Sequence, residues 1–317
     1  MGMLIDGEWQ DVWFPTAKAG GRFVRRPSTF RDRITKEDGR FKAEPDRYHL
    51  YVSLACPWAH RTLIMRTLKG LQDLISVSVV HWHMGALGWT FAEGPGVVPD
   101  MVNGALQLRQ IYLKAQRDYT GRVTVPALWD KRTKTIVNNE SSEIIRMMNS
   151  AFDDLGARPG DYYPVELREQ IDQINSRIYE TVNNGVYRAG FASTQEAYEE
   201  AVIPLFETLD WLESILSRQE FLVGDRLTEA DIRLFTTLIR FDAVYHGHFK
   251  CNLRRIADYP ALSRFTRALY QLPEIAPTVD FDHIKRHYYE SHLAINPHGI
   301  VPIGPAEIHT QAANGAP

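Results

Sequence analysis

The sequence predicts an α/β domain of thioredoxin-like order followed by an all-α domain. Two observations carry this. Between residues 48 and 148, strand-like and helix-like segments follow one another as strand, helix, strand, long excursion, strand, strand, helix. That is a βαβ unit followed by a ββα unit. From Pro164 onward, apolar residues recur at the three-and-four spacing of helices. Gly156, Pro159, Gly160 and Pro164 cluster where the two textures meet, so a domain boundary is expected near 150–165. A chain of 317 residues is long enough for two cores.

Taken in order, residues 1–45 are polar, with many Arg and Gly and scattered aromatics. They predict an extended arm with no regular element of its own. Residues 48–54 are rich in strand formers and open a domain expected over 46–155. Residues 60–71 place Leu63, Ile64, Thr67, Leu68 and Leu71 at helical spacing, and 75–80 read as a short strand. The excursion 81–118 is turn-rich around Glu93-Gly94-Pro95-Gly96 and predicts no element. Two strands, 124–129 and 135–137, flank a polar turn. A helix over 140–148 follows, with Asn138, Asn139, Ser141 and Ser142 available at its start.

The helical domain is expected over 165–290. Leu167, Ile171, Ile174, Ile178 and Val182 form one stripe; Ala201, Leu205, Leu209, Leu212 and Leu216 form another. Thr228-Glu229-Ala230-Asp231 has the pattern of a capping box, in which Thr228 and Asp231 satisfy each other's backbone. Pro260 starts a further helix. Four prolines between Pro297 and Pro317 predict an irregular tail over 291–317.

Composition narrows the function classes. With 36 basic and 39 acidic side chains the formal net charge is -3, which offers no basic excess for nucleic acid. No apolar run approaches the ~20 residues of a membrane span, and the first residues lack the layout of a signal peptide. Gly2 suggests myristoylation, but Asp6 stands where Ser or Thr is wanted. Two cysteines, Cys56 and Cys251, are too few for a disulfide framework and point to a reducing cytoplasm.

Chemistry concentrates at Ala55-Cys56-Pro57-Trp58-Ala59-His60. A strand runs into a turn, and Pro57 stands where a first helical residue belongs. Cys56 is then the helix N-cap or its neighbour, where the partial positive charge of the helix end favours thiolate over thiol. Ala59 occupies the position of a second cysteine in a dithiol motif, so Cys56 needs an external thiol to complete a cycle; glutathione is the abundant candidate. Cys251 lacks this setting and reads as structural. His60 and Arg61 lie beside Cys56 in sequence. Val125-Pro126, entering a strand, suits a cis proline that leaves backbone groups open to a peptide-like ligand. Glu140-Ser141 opens a helix whose N–H groups suit a carboxylate. His81-x-His83 and His246-x-His248 lack a third ligand by spacing, so no metal is expected.

These residues carry a resemblance that runs through nearly the whole chain. Cys56-Pro57-Trp58-Ala59, Val123-Thr124-Val125-Pro126, Asn139-Glu140-Ser141-Ser142, Asn184-Gly185-Val186-Tyr187, His248-Phe249-Lys250-Cys251-Asn252 and His287-Tyr288-Tyr289 resemble the glutathionyl-hydroquinone reductases, the xi class of glutathione transferases. The resemblance implies a glutathione transferase fold, a homodimer, and Cys56 as nucleophile. It implies that Trp89, Arg122 or its neighbour Val123, Val125 with Pro126, Glu140 and Ser141 hold glutathione. Tyr187 and one of Tyr288 or Tyr289, with Tyr289 favoured, would face a quinol. The implied reaction removes glutathione from a glutathionyl-hydroquinone through a Cys56–glutathione disulfide, with no metal. An omega-like thioltransferase or dehydroascorbate reductase, and a non-enzymatic binding protein of the same fold, remain as alternatives.

Overall fold

The computed structural model describes residues 2–306; the end of the expected tail, 307–317, lies outside the described residues. The chain divides into two compact units, and each is discontinuous. The first comprises Met1–Trp13, Arg26–Asp161 and Thr278–Leu293; the second comprises Phe14–Arg25, Tyr162–Pro277 and Ala294–Pro317, as far as these are described.

The first unit opens with β1 (Met3–Ile5) and β2 (Glu8–Gln10), an antiparallel hairpin. Asp6 and Gly7 turn it, both with positive φ, 48° and 82°, as a two-residue hairpin turn requires. The arm thus has a regular element, contrary to the sequence expectation. Strands of three residues are too short to show alternation, but the Asp-Gly pair between them was the legible signal.

β3 (Tyr48–Val52) is buried along its whole length. It leads through a turn into α1 (Pro57–Leu68), and β4 (Ile75–Val79) returns parallel to β3. The excursion then holds α2 (Leu108–Ala115), a helix the sequence reading did not expect. Gln107 and Gln110 cap its start reciprocally, a polar substitute for the usual Ser or Thr box. β5 (Gly121–Arg122) pairs with β1. β6 (Ala127–Asp130) and β7 (Thr135–Asn138) complete a sheet of order β4-β3-β6-β7, and α3 (Ser141–Ser150) follows. β6 runs antiparallel to both neighbours. With β3 inside the sheet and covered on both faces, its run of apolar and aromatic residues is explained. Arg47 ties the start of β3 to the end of β6: its Nε and Nη2 each donate to Asp130, both at 2.8 Å.

The second unit is helical. α4 (Arg168–Ile178) widens into a π-turn at Tyr179–Asn183 and continues as α5 (Gly185–Gly190). α6 (Gln195–Leu216) buries Ala201, Leu205, Leu209, Leu212 and Leu216, the stripe read from sequence. α7 (Glu229–Arg240) also ends in a π-turn, Phe241–Tyr245, and α8 (Pro260–Tyr270) starts on its proline. Asn183 Nδ2 donates to Thr237 Oγ1 at 2.7 Å and to the Arg233 carbonyl at 3.1 Å, so the first π-turn is tied to α7. The capping box forms: Thr228 N and Oγ1 both donate to Asp231 Oδ2. Residues 14–25 belong to this unit. Phe14 and Phe23 pack on Phe191, and Arg22 donates to both oxygens of Glu200.

α9 (Phe281–Ser291) falls in the first unit, not in the helical domain where the sequence reading put it. Polar contacts explain the difference. A carbonyl only accepts, so His283 Nε2 donates to Pro95 O at 2.6 Å, and His287 Nδ1 donates to Trp82 O at 2.7 Å. Trp82 Nε1 donates to Glu290 at 3.0 Å, and Met84 N to Ser291 Oγ at 3.0 Å. The helix is clipped to the loop that follows β4, a pairing across some two hundred residues that local patterning cannot reveal.

Candidate active site

Cys56 is the N-cap of α1, in extended conformation, with Pro57 as the first helical residue. A short turn delivers it there. Cys56 N donates to the Ser53 carbonyl at 3.2 Å, and the Cys56 carbonyl accepts from His60 N at 3.0 Å as the first bond of the helix. The thiol is half-buried and donates to the Val125 carbonyl at 3.5 Å. The Val125–Pro126 peptide is cis, as the sequence suggested. A sulfur at the positive end of a helix, partly open to solvent, is set up for nucleophilic chemistry.

The neighbours of Cys56 in sequence turn to other tasks. His60 is buried, with Nε2 2.8 Å from Thr278 Oγ1. Arg61 is buried, lies over the Trp58 ring at 4.6 Å, and donates through Nη1 to Ser141 Oγ at 3.4 Å. It thereby links the helix of Cys56 to the start of α3.

Glu140 is the N-cap of α3, and its carboxylate is held in place. Oε1 accepts from Ser142 N at 3.2 Å and from Ser142 Oγ at 2.9 Å, while Oε2 accepts from Ser28 Oγ at 3.1 Å. The sequence reading overlooked Tyr112, on α2, which joins two parts of the site. Its hydroxyl donates to the Thr124 carbonyl at 2.8 Å and accepts from Asn139 Nδ2 at 3.2 Å. Segment 123–126 and segment 139–140 are thus pinned to one buried phenol. Burial pushes that phenol up to about 12, so it stays protonated and able to donate. A helix hidden in a turn-rich excursion gave no strong sequence signal for this role.

Trp89, which the resemblance assigns to glutathione, lies in the loop that follows β4. It is buried and stacked on His287, with ring centroids 4.8 Å apart. Arg122 spends its guanidinium on the arm: Nη1 donates to Val12 O at 2.7 Å and Nη2 to Trp13 O at 3.1 Å. Val123 and Val125 are buried beside it. Tyr288 is buried edge-on to His287 and His292, whereas Tyr289 is half-buried. Tyr187 belongs to the second unit. There it packs against Phe191, Tyr245 and Phe249, with the Arg25 guanidinium 5.1 Å from its ring centroid. Arg25 Nε also donates to Asn184 Oδ1 at 2.9 Å.

Cys251 is fully buried, and its thiol points to the Phe249 carbonyl at 3.8 Å. Burial pushes it well above the ordinary thiol range, so it stays protonated. Burial, and then the nearby His83 and His283, hold His81 below its ordinary value. Among the described residues no group of three or more His, Cys, Asp or Glu is arranged to hold a metal ion. No helix of the described residues is long and apolar enough to cross a membrane.

The chain is similar to known glutathione transferases along most of its length. Residues 55–151 match the model of the glutathione S-transferase N-terminal domain, and residues 195–268 that of the C-terminal domain. The chain is 64% identical to glutathionyl-hydroquinone reductase PcpF of Sphingobium chlorophenolicum, over 97% of both chains. It is 58% identical to glutathionyl-hydroquinone reductase YqjG of Escherichia coli, over 96% of this chain and 95% of that one. Among solved structures, the glutathione-bound YqjG superposes with a TM-score of 0.90 at 55% identity, covering 99% of this chain and 98% of that one. The xi class glutathione transferase of Natrialba magadii superposes with a TM-score of 0.94 at 50% identity, over 98% and 96% of the two chains.

Proposed function

Because the chain belongs to the glutathione transferase family, we propose that it is a glutathionyl-hydroquinone reductase working through Cys56. The observation that carries this is Cys56 at the N-cap of α1, with Ala59 where a resolving cysteine would stand, in a chain so close to two such reductases. In the first half-reaction the Cys56 thiolate attacks the glutathione sulfur of the substrate. An S–S bond forms, the sulfur–aryl bond breaks, and its electron pair passes to the aryl carbon, which takes up a proton. Cys56 is left as a mixed disulfide with glutathione. In the second half-reaction a glutathione thiolate attacks that disulfide, releases glutathione disulfide and restores the Cys56 thiolate.

Glutathione is the co-substrate. Its peptide backbone is held along Val123, Val125 and Pro126, and its charged end by Glu140 and Ser141. Trp89 acts from beneath as the anchor of the loop, and Arg122 by fixing the arm beside β5. Tyr187 and Tyr289, with Tyr288 as its buried neighbour, orient the ring and donate the proton; the half-exposed position of Tyr289 supports its role over that of Tyr288. The enzyme works as a homodimer in the cytoplasm, which the family resemblance and the paucity of cysteines support.

A thioltransferase reading has its own support: a chain named glutathione S-transferase omega-like 2, of Schizosaccharomyces pombe, is 52% identical over 90% of this chain. Side-by-side assays with a glutathionyl-hydroquinone, dehydroascorbate and hydroxyethyl disulfide separate the readings. The reductase reading requires the first substrate to dominate. It also requires a glutathione adduct on Cys56 after one half-turnover without added glutathione. A Cys56→Ala variant with undiminished activity overturns it.

A further inference from the structure

Arg61 is among the largest fully buried side chains, 1% exposed, and it is aimed at the first turn of α3. A guanidinium has five N–H groups and no acceptor. At the 3.4 Å contact Arg61 Nη1 is therefore the donor and Ser141 Oγ the acceptor, so the hydroxyl hydrogen of Ser141 is directed away from Arg61. Trp58, three residues before Arg61 on the same helix, presents its ring to the guanidinium at 4.6 Å and helps to hold it. This gives Trp58 a physical task in the Cys-Pro-Trp-Ala motif.

The charges around the start of α3 are divided into two poles. On one side stand Arg61, the Ser141 hydroxyl and the positive end of the α3 dipole, all favouring an anion. On the other stands the Glu140 carboxylate, fixed by Ser142 and Ser28. The γ-glutamyl end of glutathione has the complementary pair, an α-carboxylate and an α-ammonium on one carbon. In a buried setting the Arg61 charge is weakly screened, so its effect on a carboxylate is felt across the hydroxyl between them.

We propose that Arg61 is a positioning residue for glutathione: through Ser141 it aims a hydroxyl hydrogen and supplies positive charge to the α-carboxylate, while Glu140 receives the α-ammonium. This rests on the assignment of Glu140 and Ser141 to glutathione made above.

The test uses the full-length enzyme with 2-(glutathion-S-yl)hydroquinone and two reducing tripeptides: glutathione, and 4-aminobutanoyl-Cys-Gly, which lacks only the α-carboxylate. Arg61→Gln should raise KM for glutathione about tenfold or more, with kcat changed by less than about threefold. Arg61→Lys should recover part of the loss. With 4-aminobutanoyl-Cys-Gly, wild type and Arg61→Gln should have the same KM. Iodoacetamide should alkylate Cys56 at the same rate in both. Equal KM increases for both tripeptides, or none for either, overturn the inference. Should Arg61→Gln not fold, Arg61→Lys carries the same comparison. If wild type itself binds the two tripeptides equally, the assignment of Glu140 and Ser141 falls first and the inference with it. If wild type discriminates and the Arg61 variants discriminate equally well, only the inference falls.

Discussion

The ring of Trp89 lies nearly parallel to that of His287, 23° between planes, while His287 Nδ1 donates to the backbone of Trp82. One imidazole thus holds two points of the loop after β4. His287→Ala removes the stack and the hydrogen bond together and should destabilise the first unit by about 2–3 kcal/mol in urea unfolding. His287→Phe keeps a ring for Trp89 and should recover about half of that. Equal stability of His287→Ala and wild type would show that the clip carries no energy.

Tyr112→Phe removes one oxygen that serves both Thr124 and Asn139. A buried acceptor left unsatisfied costs about 1–3 kcal/mol. The expected outcome is a comparable loss in stability together with a several-fold higher KM for glutathione, because segments 123–126 and 139–140 lose their common anchor. Steady-state kinetics beside thermal unfolding measures both.

The two thiols should differ sharply in reactivity. Burial holds Cys251 protonated, and Cys56 is at a partly open helix end. At neutral pH one equivalent of iodoacetamide should be incorporated, and peptide mapping should find it on Cys56. Cys251 should react only once urea has unfolded the chain.

Two buried groups should make the units respond to pH with opposite sign. Burial between Ser76 and Ser78 brings His49, in the first unit, down to about 4. Its folded value lies below the unfolded one near 6.5, so its stabilising contribution is complete above pH 6.5 and is lost as pH falls through 4. Burial pushes Asp231, in the second unit, up to about 6. Its folded value lies above the unfolded one, so its contribution is complete below about pH 3.8 and is lost as pH rises through 6. Each difference corresponds to about 3 kcal/mol. Hydrogen exchange at pH 4.5 and 6.5, corrected for intrinsic rates, should show protection of β3 rising with pH and that of α7 falling. His49→Gln and Asp231→Asn should each remove one of the two trends.

Much of the fold and part of the site were legible because they follow from local rules. Pro57 after Cys56 marks a helix start whatever the rest of the chain does, and the Thr228–Asp231 box closes within one turn. The glutathione transferase order of strands followed from alternating textures that neighbouring residues set by themselves. What escaped was non-local or very short. β1 and β2 span three residues each, and Trp89 is buried by a helix that begins at Phe281. Tyr112 acts through Thr124 and Asn139, which lie beyond its own helix. Arg61 read only as a sequence neighbour of Cys56; its inward course brings it to Ser141, eighty residues later.

The exchange of flanking segments between the units also governs how the chain is made. Residues 14–25 leave the ribosome before the unit they join, and α9 emerges after α4–α8 although its partners Trp82 and Trp89 were synthesised long before. Until α9 has been made, the loop after β4 lacks the helix whose His287 stacks on Trp89 and bonds the Trp82 carbonyl. Neither unit corresponds to one uninterrupted stretch of codons. A fragment ending at residue 161 therefore lacks α9, and a hybrid gene joined at that point would take α9 of the first unit, and all of the second except residues 14–25, from a foreign parent.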